Sequence, residues 1–146
     1  MKKIVIIFGI LMITLVFIVS VSLIENNKNL TSIKKYNKQY EEYYQKTVYG
    51  TEVITLINKA TNENLKNDIE KDEKGYFIDN GLDSIKIEIK LLQDGKVNIY
   101  QMETLTRVGL EGFIKSFNLI QFKCNDIKYH YTTKKVKALT FEQIEE

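Results

Sequence analysis

The chain opens on a run with no hydrophobic rhythm at all, because every position in it is apolar or small. From Ile4 to Ile24 there are 21 uncharged residues, interrupted only by Gly9, Thr14, Ser20 and Ser22. At about 1.5 Å per residue a helix of that length reaches roughly 31 Å, close to the roughly 30 Å hydrocarbon thickness of a bilayer. A helix on a soluble core would keep a polar face, and this run has none. Residues 1–24 are therefore read as a transmembrane signal-anchor. A cleaved signal peptide is the competing reading, with Lys2 and Lys3 as its basic start and Ser20-Val21-Ser22 as a small-x-small site. Its apolar region spans only about 7–15 residues, so length favours the uncleaved anchor. No cysteine follows the run directly, which excludes a lipoprotein anchor.

Beyond the anchor the pattern becomes periodic. ENNKNLT, residues 25–31, reads as a polar hinge, and residues 32–146 as one α+β domain. Thr31 or Ser32 is a candidate N-cap for a long amphipathic helix running to about Ala60. Tyr36, Tyr40, Tyr43, Thr47, Ile54, Ile57 and Thr61 recur at intervals that place one stripe on its inner face, and Gly50 falls on the same stripe. A glycine there predicts a close approach of another backbone, or a bend. Asn62, Asn64 and Asn67 predict the helix end.

At Ser84–Leu91 the period drops to two, with Ile85, Ile87, Ile89 and Leu91 against Lys86, Glu88 and Lys90. That alternation predicts a strand with one wet face. Asp94-Gly95 predicts a hairpin returning through Lys96–Met102. Gly109–Phe117 reads as a short helix. Strands follow at Ile120–Cys124, Ile127–Thr132 and Val136–Ile144, with turns at Asn125-Asp126 and Thr133-Lys134. Strands cluster after the helix and do not alternate with helices, so the expected architecture is a long helix on an antiparallel sheet of about four to five strands.

Charge narrows the partners. Without Lys2 and Lys3 the remaining 19 basic residues balance 19 acidic ones, so nothing draws the domain to nucleic acid. Lys2 and Lys3 place the N-terminus inside, while Lys28, Lys34, Lys35 and Lys38 argue the reverse. Signal-like geometry at the N-terminus favours an extracytoplasmic C-terminal domain on the cell membrane. The wealth of Lys, Ile, Asn and Tyr suits an AT-rich bacterial genome.

Candidate chemistry is sparse. Cys124 shares a strand face with Ile120 and Phe122 and reads as a small buried hydrophobe. One cysteine and one histidine, His130, supply neither a disulfide nor a zinc set, so no metal and no cofactor is expected. A Cys124–His130 pair would need hydrogen-bond reach, which the sequence leaves open. Asp68, Glu70, Asp72 and Glu73 are interleaved with lysines and read as a solvated face, not a calcium loop. The tyrosines of the long helix, above all Tyr36, Tyr40 and Tyr43 together with Gly50, are either packing residues or a surface that meets another protein. Tyr36 and Tyr40 also suit a membrane interface.

The run G-x-x-V-x-x-L-I-N-K-A at Gly50–Ala60 and the stretch Phe122–Gln143 resemble a set of small, uncharacterised, membrane-anchored proteins of low-GC Gram-positive bacteria. The order of membrane helix, amphipathic helix and sheet also resembles the layout of type IV pilins. The pilin processing motif is missing, since the fifth residue after Gly9 is Thr14 and no glutamate precedes Glu25. These resemblances imply a single-pass, non-catalytic structural or interaction protein that meets an unknown partner or its own copies. The alternative is an accessory domain binding a peptide or small ligand for a secretion or transport system.

Overall fold

Helix α1 runs from Lys2 to Glu41. The structure, a computed structural model, describes residues 2–93 and 95–144. The chain divides into two compact units, Met1–Lys35 and Tyr36–Glu146. Gly9–Glu41 of α1 is, by length and composition, a helix long and apolar enough to cross a membrane. Leu11, Ile13, Phe17, Ile18 and Leu23 are all exposed on it. The expected helix start at Thr31 or Ser32 is overturned, because the backbone is already helical through residues 25–31. Thr31 Oγ1 donates to the Asn27 carbonyl at 2.9 Å, bonding back along the helix and capping nothing.

The single long helix ending near Ala60 is also corrected. α1 stops at Glu41, strand β1 occupies Thr47–Tyr49, and α2 spans Gly50–Lys66. Gln45 breaks the helix with φ 61°, and its N–H donates to the Cys124 carbonyl at 2.9 Å. Thr-Val-Tyr then extends, as β-branched and aromatic residues favour, and Val48 pairs with Phe122. Glu52 reaches back to accept the Tyr49 N–H at 3.0 Å, which helps to start α2. α2 buries Val53, Ile54, Leu56, Ile57 and Ala60 and is capped by Asn67, close to where the asparagines predict its end.

The alternating run forms β2, Lys86–Gln93, and its hairpin partner is β3, Lys96–Gln101. Gln93 pairs with Lys96 across the hairpin, and Gly95 takes φ 71°; Asp94 lies outside the described residues. Helices α3, Met102–Val108, and α4, Leu110–Phe117, follow, separated by Gly109 at φ 97°. α3 fills the stretch between the expected strand ending at Met102 and the expected helix starting at Gly109, to which the sequence pattern assigns no element. The last two strands are β4, Gln121–Tyr129, and β5, Val136–Gln143. The turn expected at Asn125-Asp126 is instead a bulge: Cys124 pairs with Phe141 and Asp126 with Thr140, leaving Asn125 over. The Thr133-Lys134 turn forms, with Lys134 at φ 59°.

The sheet order is β1-β4-β5-β2-β3. Because β2 and β5 run parallel, the sheet is mixed and not antiparallel throughout. One face carries the core, in which Ile87, Ile89, Leu139, Phe141 and Phe122 meet Leu56 and Ile57 of α2 and Met102 of α3. The other face turns Lys86, Glu88 and Lys90 of β2 toward water. The fold is α+β.

Candidate functional site

Tyr36, Tyr40, Tyr43 and Gly50 do not lie along one helix. Tyr40 is fully buried, and Tyr36 and Tyr43 pack against the core while remaining partly exposed. Burial pushes the hydroxyl pKa up in all three, helped at Tyr36 by Glu63 and Asp83. Tyr36 and Tyr40 tilt against each other with ring centroids 5.3 Å apart. Gly50 is buried where the Phe117 carbonyl group crosses the start of α2: an ideal Cβ would fall 2.8 Å from the carbonyl carbon and closer still to its oxygen. A partner surface needs exposed atoms, and on this part of the chain Tyr44 and Tyr49 supply them.

Cys124 is buried, its Sγ 3.7 Å from the Asp126 carbonyl, and burial pushes its thiol up to about 11. Such a thiol is a poor nucleophile near neutral pH. His130 is buried elsewhere in β4's continuation. Its Nε2 lies 2.7 Å from the Ser84 carbonyl, which can only accept, so that nitrogen carries the proton. Its Nδ1 stands 3.8 Å from Asp79 Oδ1. Both rings of contacts are structural: they fix the loop before β2 against the turn before β5. Among the described residues no group of three or more His, Cys, Asp or Glu could hold a metal ion.

The acidic run also finds structural employment. Asp72 Oδ1 accepts the N–H groups of Lys74 and Tyr76 at 2.9 and 2.8 Å, closing a turn completed by Gly75 at φ 82°. This turn brings Lys71, Lys74 and Phe77 beside α3. Lys71 Nζ sits 4.5 Å from the centre of the Phe77 ring. Arg107 of α3 lies over Tyr76 and donates to the Lys74 carbonyl at 3.1 Å.

Between these groups lies a cleft of about 270 Å³, with Phe77, Thr61, Thr106 and Glu103 in its walls and Lys71, Lys74 and Arg107 around it. Glu103 is only 8 % exposed. Its Oε1 accepts the Phe77 N–H at 3.1 Å, whereas its Oε2 is buried with no hydrogen-bond partner among the described residues. A buried carboxylate oxygen without a donor is costly. This cleft was not anticipated from the sequence. Its signal was a glutamate at a core-facing position between Met102 and Leu105, near the only arginine of the chain. A search against protein-family models, curated proteins and solved structures finds no match to this chain.

Proposed function

We propose that this chain is a single-pass membrane-anchored protein whose C-terminal domain is displayed on the extracytoplasmic side and works by contact, not catalysis. The observation that carries the reading is the uncharged 21-residue run inside α1, whose large apolar side chains from Ile10 to Ile24 are exposed around the helix. In water those side chains would be strongly unfavourable at about 25 cal/mol per Å² of apolar surface, and a bilayer removes that penalty. The structural engagement of Cys124 and His130 supports a non-catalytic role. A pilin-like subunit is the layout that this reading resembles, without the pilin processing motif.

The domain has one edge suited to contact with a partner or a second copy. β3 ends the sheet, and Val97 and Ile99 on it are 56 % and 63 % exposed. An open edge with apolar side chains is a ready template for another strand. The test is crosslinking in intact membranes, read by what becomes attached to the chain. Val97→Lys with Ile99→Lys should reduce the crosslinked species, and an unchanged pattern would remove β3 from the contact. Protease added outside intact cells should digest the domain; digestion only after lysis would reverse the orientation.

A second reading is favoured by the cleft beside α3, where a buried carboxylate lacks a donor. It makes the domain a binding module for a small ligand.

A further inference from the structure

We infer that the turns of α1 directly beyond its apolar run bind the headgroups of anionic phospholipids, through the ammonium groups of Lys28, Lys34 and Lys35. The inference rests on the reading of Ile4–Ile24 as a membrane span and names what meets the chain where that span ends.

Continuity of the helix carries the argument. A hinge at residues 25–31 would leave the lysines free to point anywhere, but these residues are helical, which fixes each lysine in height and direction from Ile24. At about 100° per residue, Lys35 stands about 20° round the axis from Lys28 and Lys34 about 120° on the same side, so the three share one arc of α1. All three are exposed, and none makes an ion pair among the described residues. Asn27 falls inside the arc and adds an amide donor at the same level.

Height decides what the arc can reach. Lys28 lies about 6 Å beyond Ile24, within the interfacial layer of about 5–8 Å on each side of the hydrocarbon. Lys34 and Lys35 stand about 15–17 Å beyond Ile24, but side chains on a helix lean toward its N-terminus, here the membrane end. Their long apolar stems bring the charges back toward the headgroups, within a screening length of about 8–10 Å. The charge of this stretch is one-sided. From Glu25 to Lys35 there are three lysines and one acid, whereas the chain without Lys2 and Lys3 carries 19 of each sign. Glu25 lies about 60° from Lys28, on the side away from Lys34 and Lys35. An acidic protein would need matching shape as well as charge. A lipid surface needs only charge, and the span already holds it within reach.

The experiment reconstitutes the full chain in phosphatidylcholine vesicles carrying a trace of lipid spin-labelled on the acyl chain. It compares the motionally restricted fraction of labelled phosphatidylglycerol with that of labelled phosphatidylcholine. One lysine near a membrane surface favours anionic lipid about fivefold, so the preference averaged over all lipids around the span should be about twofold or more. It should shrink in high salt. The triple variant Lys28→Gln, Lys34→Gln, Lys35→Gln should lower it to what Lys2 and Lys3 contribute at the other end of the span. Lys28→Gln alone should take the largest share, and Lys28→Arg, Lys34→Arg, Lys35→Arg should keep the full preference. The positions are exposed, so the variants should melt as the wild type does. Equal association of the two lipids with the wild type would overturn the inference. A preference kept in full by the glutamine variant would overturn it too, and leave the lysines to solvent or to an acidic protein. Competition by inorganic phosphate, but not by chloride at equal ionic strength, would overturn it in favour of a free anion. A chain that does not float with phosphatidylcholine vesicles would overturn the membrane-span reading and the inference with it, whereas flotation without lipid preference would overturn the inference alone.

Discussion

Asn64 and Ile85 form a closed pair: Asn64 Nδ2 donates to the Ile85 carbonyl and the Ile85 N–H donates to Asn64 Oδ1, each at 2.8 Å. A side chain on α2 thus completes the backbone bonding at the entrance to β2. Asn37 does the same one strand over, donating to the Lys134 carbonyl at 2.8 Å and accepting the Val136 N–H at 2.9 Å. β2 and β5 are the parallel pair. Each therefore has its N-terminal end held by an asparagine from a helix.

Asn64→Ala should strand a buried N–H and a buried carbonyl at Ile85. Each group left without a partner costs on the order of 1–3 kcal/mol, so a loss within or above that range is expected. Urea unfolding of the detergent-solubilised chain measures it. A loss below about 0.5 kcal/mol would mean that water replaces the amide.

Gly50→Leu should lower the melting temperature. The Cβ alone would collide with the Phe117 carbonyl group, which is backbone and cannot rotate away. Overpacking costs typically 1–3 kcal/mol, against at most about 1 kcal/mol gained in helix propensity. A raised melting temperature would show that α2 and the end of α4 are not in contact.

Much of the fold was legible because hydrophobic period is a local property. Ile85 to Leu91 announce β2, and the asparagines announce the end of α2. What sequence alone missed depends on partners distant in the chain. Tyr36–Ala60 carries a helical stripe, yet Gln45 and Lys46 hydrogen-bond with Cys124, and that pairing converts Thr47–Tyr49 into an edge strand. Asn125-Asp126 has the composition of a turn, but pairing with β5 absorbs it as a bulge. The parallel β2–β5 pair has no local signal either. The tyrosines drew attention as a site by their number, whereas the cleft is assembled from single residues of α2, one turn and α3.

Cys124 should resist a thiol reagent in the folded chain and react once denaturant is added. Its thiol is held at about 11 by burial, so thiolate is scarce at neutral pH as well as shielded. Cys124→Ser should destabilise the domain by about 1–3 kcal/mol by burying a hydroxyl. Rapid labelling of the native protein would place the thiol at the surface.

Acid sensitivity should centre on Asp79. The Lys137 ammonium beside it holds its carboxyl at about 2, below the ordinary 3.8, against the opposing effect of burial; the Gly81 N–H and Ser84 hydroxyl assist. A depressed folded-state pKa stabilises above the unfolded value and is lost as pH falls through the folded one. Stability from this group should be complete above about pH 4 and fall away toward pH 2. Asp79→Asn should flatten that part of the profile. A wild-type decline unchanged in the variant would assign the acid sensitivity to other carboxyls.

The central claim is that the apolar run of α1 spans a membrane and stays attached to the domain. It is tested most directly by washing membranes with alkaline carbonate and taking the intact mass of the chain in the pellet. The chain should remain in the pellet with Ile4–Ile24 still covalently joined to the domain. Release into the wash, or a product that starts near Leu23, would contradict it.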